Sequence, residues 1–314
     1  MEVIETVKPH RDPSFNPINA ISRKANMIFS LFFGVYSICC LLPIILVLSV
    51  SFSEEKSVLT DGYRFLPVHF SLEAYRFMLL DIHQIVKSYG ISILVTVAGT
   101  AISVIIMSLF AYPISRQDFP HKRIFTFFMF FTMLFNGGLV PWYLVYTQFL
   151  DLKNSIWALI IPLLISPFFV LVIRTFFQTT IPPALIESAR IDGAGETTIF
   201  SRIVMPLSLP VLATVALFST LNYWNDWFLS LVFITDNTTI SIQYLMYKAM
   251  LNIQFMTTNI QAQQGFTQAG GSMNLPTESV RMAMCVIGVG PIVFAYPFFQ
   301  RFFIKGLTVG SVKG

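Results

Sequence analysis

Residues 89–114 read YGISILVTVAGTAISVIIMSLFAYPI, a run without one charged side chain, and RQDFPHKR follows at 116–123. A bilayer hydrocarbon core about 30 Å thick is crossed by about 20 apolar helical residues. The run is therefore long enough to span a membrane, and the short cationic loop after it marks the cytoplasmic side. Five further apolar runs flank it, at 27–51, 124–149, 156–178, 207–234 and 280–303. None alternates over ten residues as a barrel strand does, so the expectation is an all-α polytopic membrane protein with six transmembrane helices. The first run exceeds a signal-peptide core and lacks a small-residue cleavage pattern after it, so it is expected to remain in the mature chain.

Composition agrees. The 314 residues are 55% hydrophobic and 11% charged, and mean hydropathy is +0.70. An ordinary soluble domain is about 25% charged. This balance excludes a soluble enzyme, a disordered chain and a nucleic-acid-binding domain. With the N-terminus inside, the inner segments hold Lys8, Arg11, Arg23, Lys24, Arg116, Lys122, Arg123, Arg190, Arg202, Arg301, Lys305 and Lys313. The outer ones hold Lys56, Arg64, Arg76, Lys87, Lys153, Lys248 and Arg281, so both termini are expected in the cytoplasm. Arg174, near the inner end of the fourth span, is expected to snorkel inward. The parts are then an N-terminal segment 1–26, a six-helix membrane domain 27–304 and a tail 305–314.

Catalytic motifs are missing. Gly-Lys does not occur, so there is no phosphate loop. His10, His69, His83 and His121 are scattered, Cys39, Cys40 and Cys285 sit in apolar runs without C-x-x-C, and no metal or catalytic site is expected. Asp226 is the acidic residue well inside a span, and it keeps open an ion-coupled secondary carrier as an alternative. Of the outer stretches, 240–255 reads as an interfacial helix. Glu54, Glu55 and Lys56 are either a solvated loop or contacts for an extracellular protein.

The segment 182–210, PPALIESARIDGAGETTIFSRIVMPLSLP, reads as two short helices around a glycine turn. Pro182 and Pro183 suit a helix start, Gly193 and Gly195 a sharp turn, and Thr197 or Thr198 a second start before Pro206. Leu185, Ala189 and Ile191/Asp192 share an amphipathic spacing. A partly apolar loop of this length should dock onto something in the cytoplasm.

Glu187-Ser188-Ala189, Asp192-Gly193-Ala194, Ile203 and Pro206 resemble the EAA coupling motif of permease subunits in binding-protein-dependent ABC importers, with Ser188 where alanine is usual. Phe135–Leu139, Tyr223–Trp227 and the tail Phe303–Gly314 are similar to the carbohydrate branch, the maltose-type second permease and the Firmicute permeases for oligosaccharides from complex polysaccharides. The resemblance implies a type I ABC importer permease fold in the bacterial cell membrane. The chain would pair with a second permease, two ATPase subunits that carry ATP and Mg, and an extracellular sugar-binding protein, and would itself bind no cofactor. It implies that Glu187, Ser188, Ala189, Asp192, Gly193, Ala194, Gly195, Ile203 and Pro206 form the ATPase contact at 182–206, Glu187 pairing with a basic group there. Asn136, Tyr223, Trp224, Asn225, Asp226 and Trp227 are candidates for the translocation path, because aromatic faces stack on sugars and amides bond hydroxyls. Gly306, Gly310 and Gly314 fit a flexible tail between the ATPase subunits.

Overall fold

The computed structural model describes residues 22–259, 277–295 and 297–300. Its helices are α1 (Arg23–Ser51), α2 (Glu55–Asp61), α3 (Glu73–Met78), α4 (Ile82–Ser115), α5 (Lys122–Leu134), α6 (Leu139–Leu144), α7 (Trp157–Ile160) and α8 (Pro167–Thr180). They continue as α9 (Pro183–Ile191), α10 (Glu196–Ile199), α11 (Met205–Leu207), α12 (Leu209–Asn225), α13 (Phe228–Phe233), α14 (Ile242–Thr258) and α15 (Glu278–Val289). Among the described residues, extended pairing is limited to one bridge, Ser53 to Phe70.

Three stretches are long and apolar enough to cross a membrane: Arg23–Ser51, Glu73–Ser115 and Glu278–Gln300. Three more are bent pairs, and six spans result when each pair counts as one. The run 124–149, expected as one span, bends by 116° between Leu134 and Leu139. Gly138 has φ +83°, and the Asn136 side-chain oxygen accepts its N–H at 2.9 Å, which fixes a turn that only glycine adopts cheaply. The fourth run bends by 52° where Pro167 starts α8, since proline pushes the preceding residue, Ser166, into extended backbone. The fifth does not run unbroken to 234: α12 ends at Asn225, Asp226 is extended, and α13 starts at Phe228.

α4 is the central post, packing on α12 and α8. Its buried stripe is Ser88, Ser92, Val95, Thr96, Gly99, Thr100, Ser103, Met107, Ser108 and Ala111, while Ile93, Leu94, Val97, Ile105 and Leu109 are exposed. Lipid removes the drive to bury large apolar groups, so small residues take the seam and let backbones approach. Tyr223 of α12 fills the notch at Gly99. Its hydroxyl donates to the Ile160 carbonyl at 2.9 Å and lies 3.2 Å from Ser103 Oγ.

α14 confirms a helix near 240–255 and corrects its surroundings. Ile242 and Met246 are buried, and the Ile242 N–H donates to Ser92 Oγ at 2.8 Å, so α14 is packed on the bundle. Arg174 does not reach for water alone: its Nε donates to the Ile114 carbonyl at 3.2 Å, placing a cation at the C-terminal end of α4, where the helix dipole favours it.

Glu55 is neither a solvated loop residue nor a free contact. It is 8% exposed and accepts hydrogen bonds from Thr277 Oγ1 (2.8 Å), Glu278 N (2.9 Å), Ser279 N (2.9 Å) and Ser279 Oγ (2.6 Å). It therefore caps the first turn of α15 from a distant part of the chain. Burial opposes its charge, and the bonds from Ser279, Glu278 and Thr277 together outweigh burial, holding the carboxyl below its ordinary 4.5. With the folded value depressed, the stabilisation is complete above pH 4.5 and is lost as pH falls through the folded value. Glu55→Ala leaves these donors unpaired, an expected cost of about 1–3 kcal/mol. Protection of the Ser279–Arg281 amides, relative to the intrinsic exchange rate at each pH, should fall in that variant at pH 7, and in the native chain only below pH 4.5.

Candidate functional site

The motif segment forms a compact helical hairpin at one end of the bundle. α9 starts with Pro183 in its first turn, where the missing N–H costs nothing. It closes with Asp192 N–H to Ser188 O (3.0 Å), Gly193 N–H to Arg190 O (3.0 Å) and Ala194 N–H to Ala189 O (2.9 Å). Gly193 sits at φ +83°, the left-handed position that ends a helix. Gly195 is extended, and α10 starts at Glu196, slightly before the expected Thr197 or Thr198. The helical path continues through a wider turn at Phe200–Val204 into α11 and bends by 79° at Ser208. Pro206 lies in α11 directly after the wider turn and does not end the helical path, which runs on to Leu207.

Ile186, Ile199 and Val204 anchor the hairpin in a core with Met107, Ala111, Ile114, Val170, Ile173 and Phe177. Ala189 and Ala194 pack against that core half-buried, and Ile203 is half-buried in the wider turn. Of the amphipathic spacing Leu185, Ala189 and Ile191/Asp192, Ala189 packs on the core, whereas Leu185 and Ile191 are exposed and Ile186 is the buried residue of α9. Glu187, Ser188, Asp192, Gly193 and Gly195 are exposed. Among the described residues Glu187 has no hydrogen-bond or ion-pair partner; with Lys122, Gln178 and Arg190 it lines a cleft of about 540 Å³.

A chain of polar contacts joins the hairpin to α4. Arg116 binds both oxygens of Asp118, at 3.1 Å each. Asp118 Oδ2 also meets Arg190 Nη1 at 2.9 Å. The other arm of Arg190 holds Glu196, with Nε 3.0 Å from Oε1, and Glu196 Oε2 accepts the Tyr112 hydroxyl at 2.6 Å. The Arg116 bond, with help from Arg190, brings the Asp118 carboxyl down to about 2. The Tyr112 bond, then Arg190, lowers that of Glu196, and Glu196 with Asp118 raises Arg190.

The expected path residues separate into two groups. Tyr223 and Trp224 are each 3% exposed. Trp224 donates from Nε1 to the Gly288 carbonyl at 3.0 Å, so both rings pack helices together within this chain. Asn136, Asn225 and Trp227 are exposed, Asp226 is half-exposed, and Trp227 stacks on Tyr247 with centroids 4.3 Å apart. The Asp226 carboxylate accepts the Leu229 N–H at 3.1 Å and so caps the start of α13. Gly306, Gly310 and Gly314, with most of 1–26, lie outside the described residues. Among the described residues no three His, Cys, Asp or Glu side chains converge.

Known proteins agree with this architecture. The pattern of the binding-protein-dependent transport system inner membrane component matches residues 120–309. The polygalacturonan/rhamnogalacturonan transport system permease protein YtcP of Bacillus subtilis (strain 168) is 38% identical over 93% of this chain and 99% of its own length. The arabinooligosaccharides transport system permease protein AraQ of Halalkalibacterium halodurans is 26% identical over 90% of this chain and 94% of its own. The solved structure of a bacterial ABC transporter involved in the import of the acidic polysaccharide alginate contains a chain with a TM-score of 0.74 and 28% identity, over 90% of this chain and 99% of that one. A helical bundle with apolar spans and a glycine-turned hairpin at one end therefore belongs, in this chain, to the family of inner-membrane permease components of binding-protein-dependent ABC importers.

Proposed function

We propose that the chain is one permease of an ATP-driven importer in the bacterial cell membrane, carrying oligosaccharides released from a complex polysaccharide. It has both termini in the cytoplasm and works as half of a heterodimer with a second permease. Two ATPase subunits, which hold ATP and Mg, dock on the α9–α10 hairpin, and an extracellular sugar-binding protein delivers the substrate. The observation that carries this is the hairpin itself. Ile186, Ile199 and Val204 fasten it to the bundle, while Glu187 and Ile191 stand free on the opposite side. Glu187 would meet a basic group of the ATPase, with Ser188, Asp192 and Ile191 completing the contact. Gly193 and Gly195 keep the turn narrow, Ala189, Ala194 and Ile203 seat it, and Pro206 lies in α11 at its end. The tail 305–314, with Gly306, Gly310 and Gly314, reaches the ATPase pair. Asn136, Asn225, Asp226 and Trp227 are the path candidates left on the surface, and Tyr223 and Trp224 serve as packing.

Orientation is checked by Thr197→Cys, exposed on α10, with Cys39, Cys40 and Cys285 changed to serine. A membrane-impermeant maleimide should label it in inside-out vesicles and leave it unlabelled on intact cells; the reverse pattern would remove the ATPase-docking role.

The ion-coupled carrier does not survive family membership, and Asp226, besides its place among the path candidates, caps α13. Asparagine caps helices about as well as aspartate. Asp226→Asn should therefore keep uptake within about twofold of native, whereas Asp226→Ala should cost about 1 kcal/mol of α13 stability. Uptake driven by a proton gradient in ATP-free vesicles would restore the carrier.

A further inference from the structure

The contacts around Arg190 close on themselves. Tyr112 belongs to the last turn of α4, and Arg116 is the extended residue that caps it. Arg116 holds Asp118, Asp118 holds Arg190 of α9, Arg190 holds Glu196 of α10, and Glu196 accepts the Tyr112 hydroxyl. The circuit leaves α4, passes through both helices of the hairpin across the Gly193 turn, and returns to α4. The Arg190, Asp118 and Glu196 side chains are 43–51% exposed, so such pairs add little to stability. Arg116 and Asp118 meet as two planar forks, which fixes their direction, and the planar guanidinium of Arg190 holds Asp118 with one arm and Glu196 with the other. α4 is also the post on which α12 packs, and α12 ends at Asn225 beside Asp226 and Trp227.

Resting on the docking role proposed for the hairpin, we propose that the Arg116–Asp118–Arg190–Glu196–Tyr112 circuit is the linkage that makes α4 move with the hairpin. Asp118 and Arg190 are then positioning residues that set how much transport each ATP yields, without touching nucleotide or sugar. The apolar anchors hold the hairpin on the bundle, and the circuit holds its angle, because apolar contact is non-directional. A contiguous network of this kind, kept rigid, can carry motion between distant sites.

The test uses the whole importer, purified through a tag on this chain with the subunits that accompany it. With Cys39, Cys40 and Cys285 changed to serine, spin labels at Thr197→Cys on α10 and Val97→Cys on α4 report the separation of hairpin and post, with and without ATP plus vanadate. The native circuit is expected to keep one narrow separation in both conditions. Arg190→Ala and Asp118→Asn are expected to broaden or shift it on addition of ATP plus vanadate, with the ATPase still bound. They should also raise the ATP spent per labelled galacturonate oligomer about tenfold, within the usual range for coupling between sites. Arg190→Lys keeps the charge without the fork and should fall between. The proposal is overturned if the native separation itself changes, if it stays narrow in both disrupted variants, or if those variants shed the ATPase and so reveal a role only in hairpin shape. The distance readout decides the matter even where galacturonate oligomers are not carried. Failure of the docking role shows separately, as ATPase retained by Glu187→Lys.

Discussion

Glu187→Lys is expected to abolish uptake and to release the ATPase in a pull-down, with the permease still inserted in the membrane. Glu187 is exposed and, among the described residues, unpartnered, and surface substitutions of that kind change stability by no more than about 0.5 kcal/mol. The loss therefore falls on the interface. Removing one member of a buried, bonded charge pair across an interface costs about 2–5 kcal/mol, more than about 30-fold in affinity at the lower end. Reversal of the charge adds repulsion against the basic group expected opposite. ATPase recovered at native stoichiometry from Glu187→Lys membranes would mean that the hairpin is not the docking element.

Gly99→Ala is the second large effect. A methyl group there would stand 2.5–2.8 Å from three ring atoms of Tyr223, well inside van der Waals contact. The ring has little room to yield, since its hydroxyl is tied to Ile160 and Ser103. Either α12 is pushed off α4 or the tyrosine gives up its bonds. Overpacking of this type costs about 1–3 kcal/mol and at times more. The expected readouts are a lower melting temperature in detergent and a smaller yield of monodisperse complex. Adding Tyr223→Leu to the same chain should recover part of the loss, and a Gly99→Ala protein that melts like the native one would refute the α4–α12 seam.

The spans were legible because hydrocarbon imposes a length and an apolar composition that no other constraint imitates. The breaks were less so. The Asn136-Gly137-Gly138 interruption is visible in sequence, but a 116° bend follows from one glycine's φ and one side-chain bond. Tyr223 and Trp224 resembled a sugar path by residue type, and their inward direction depended on which neighbour held small residues, namely Gly99, Ser103 and Gly288. In the hairpin the turn was readable from Gly193, whereas the buried face was not: two candidate stripes, one through Leu185 and one through Ile186, lie a single residue apart. Asp118 and Glu196 escaped notice because their meaning arises from long-range pairing with Arg190 and Tyr112. The faint local signal was opposite charge at Arg190 and Glu196 on either side of a glycine turn.

The bend after α5 has one more result. α5 is 13 residues long, a rise of about 20 Å, against roughly 30 Å of hydrocarbon. Residues 135–138 are open to the outside of the single chain; the Phe135 and Gly138 N–H groups are bonded within it, and the remaining peptide groups would need a neighbouring subunit or water at hydrocarbon depth. A copy made ahead of its neighbours is therefore expected to hold peptide groups that fat cannot satisfy.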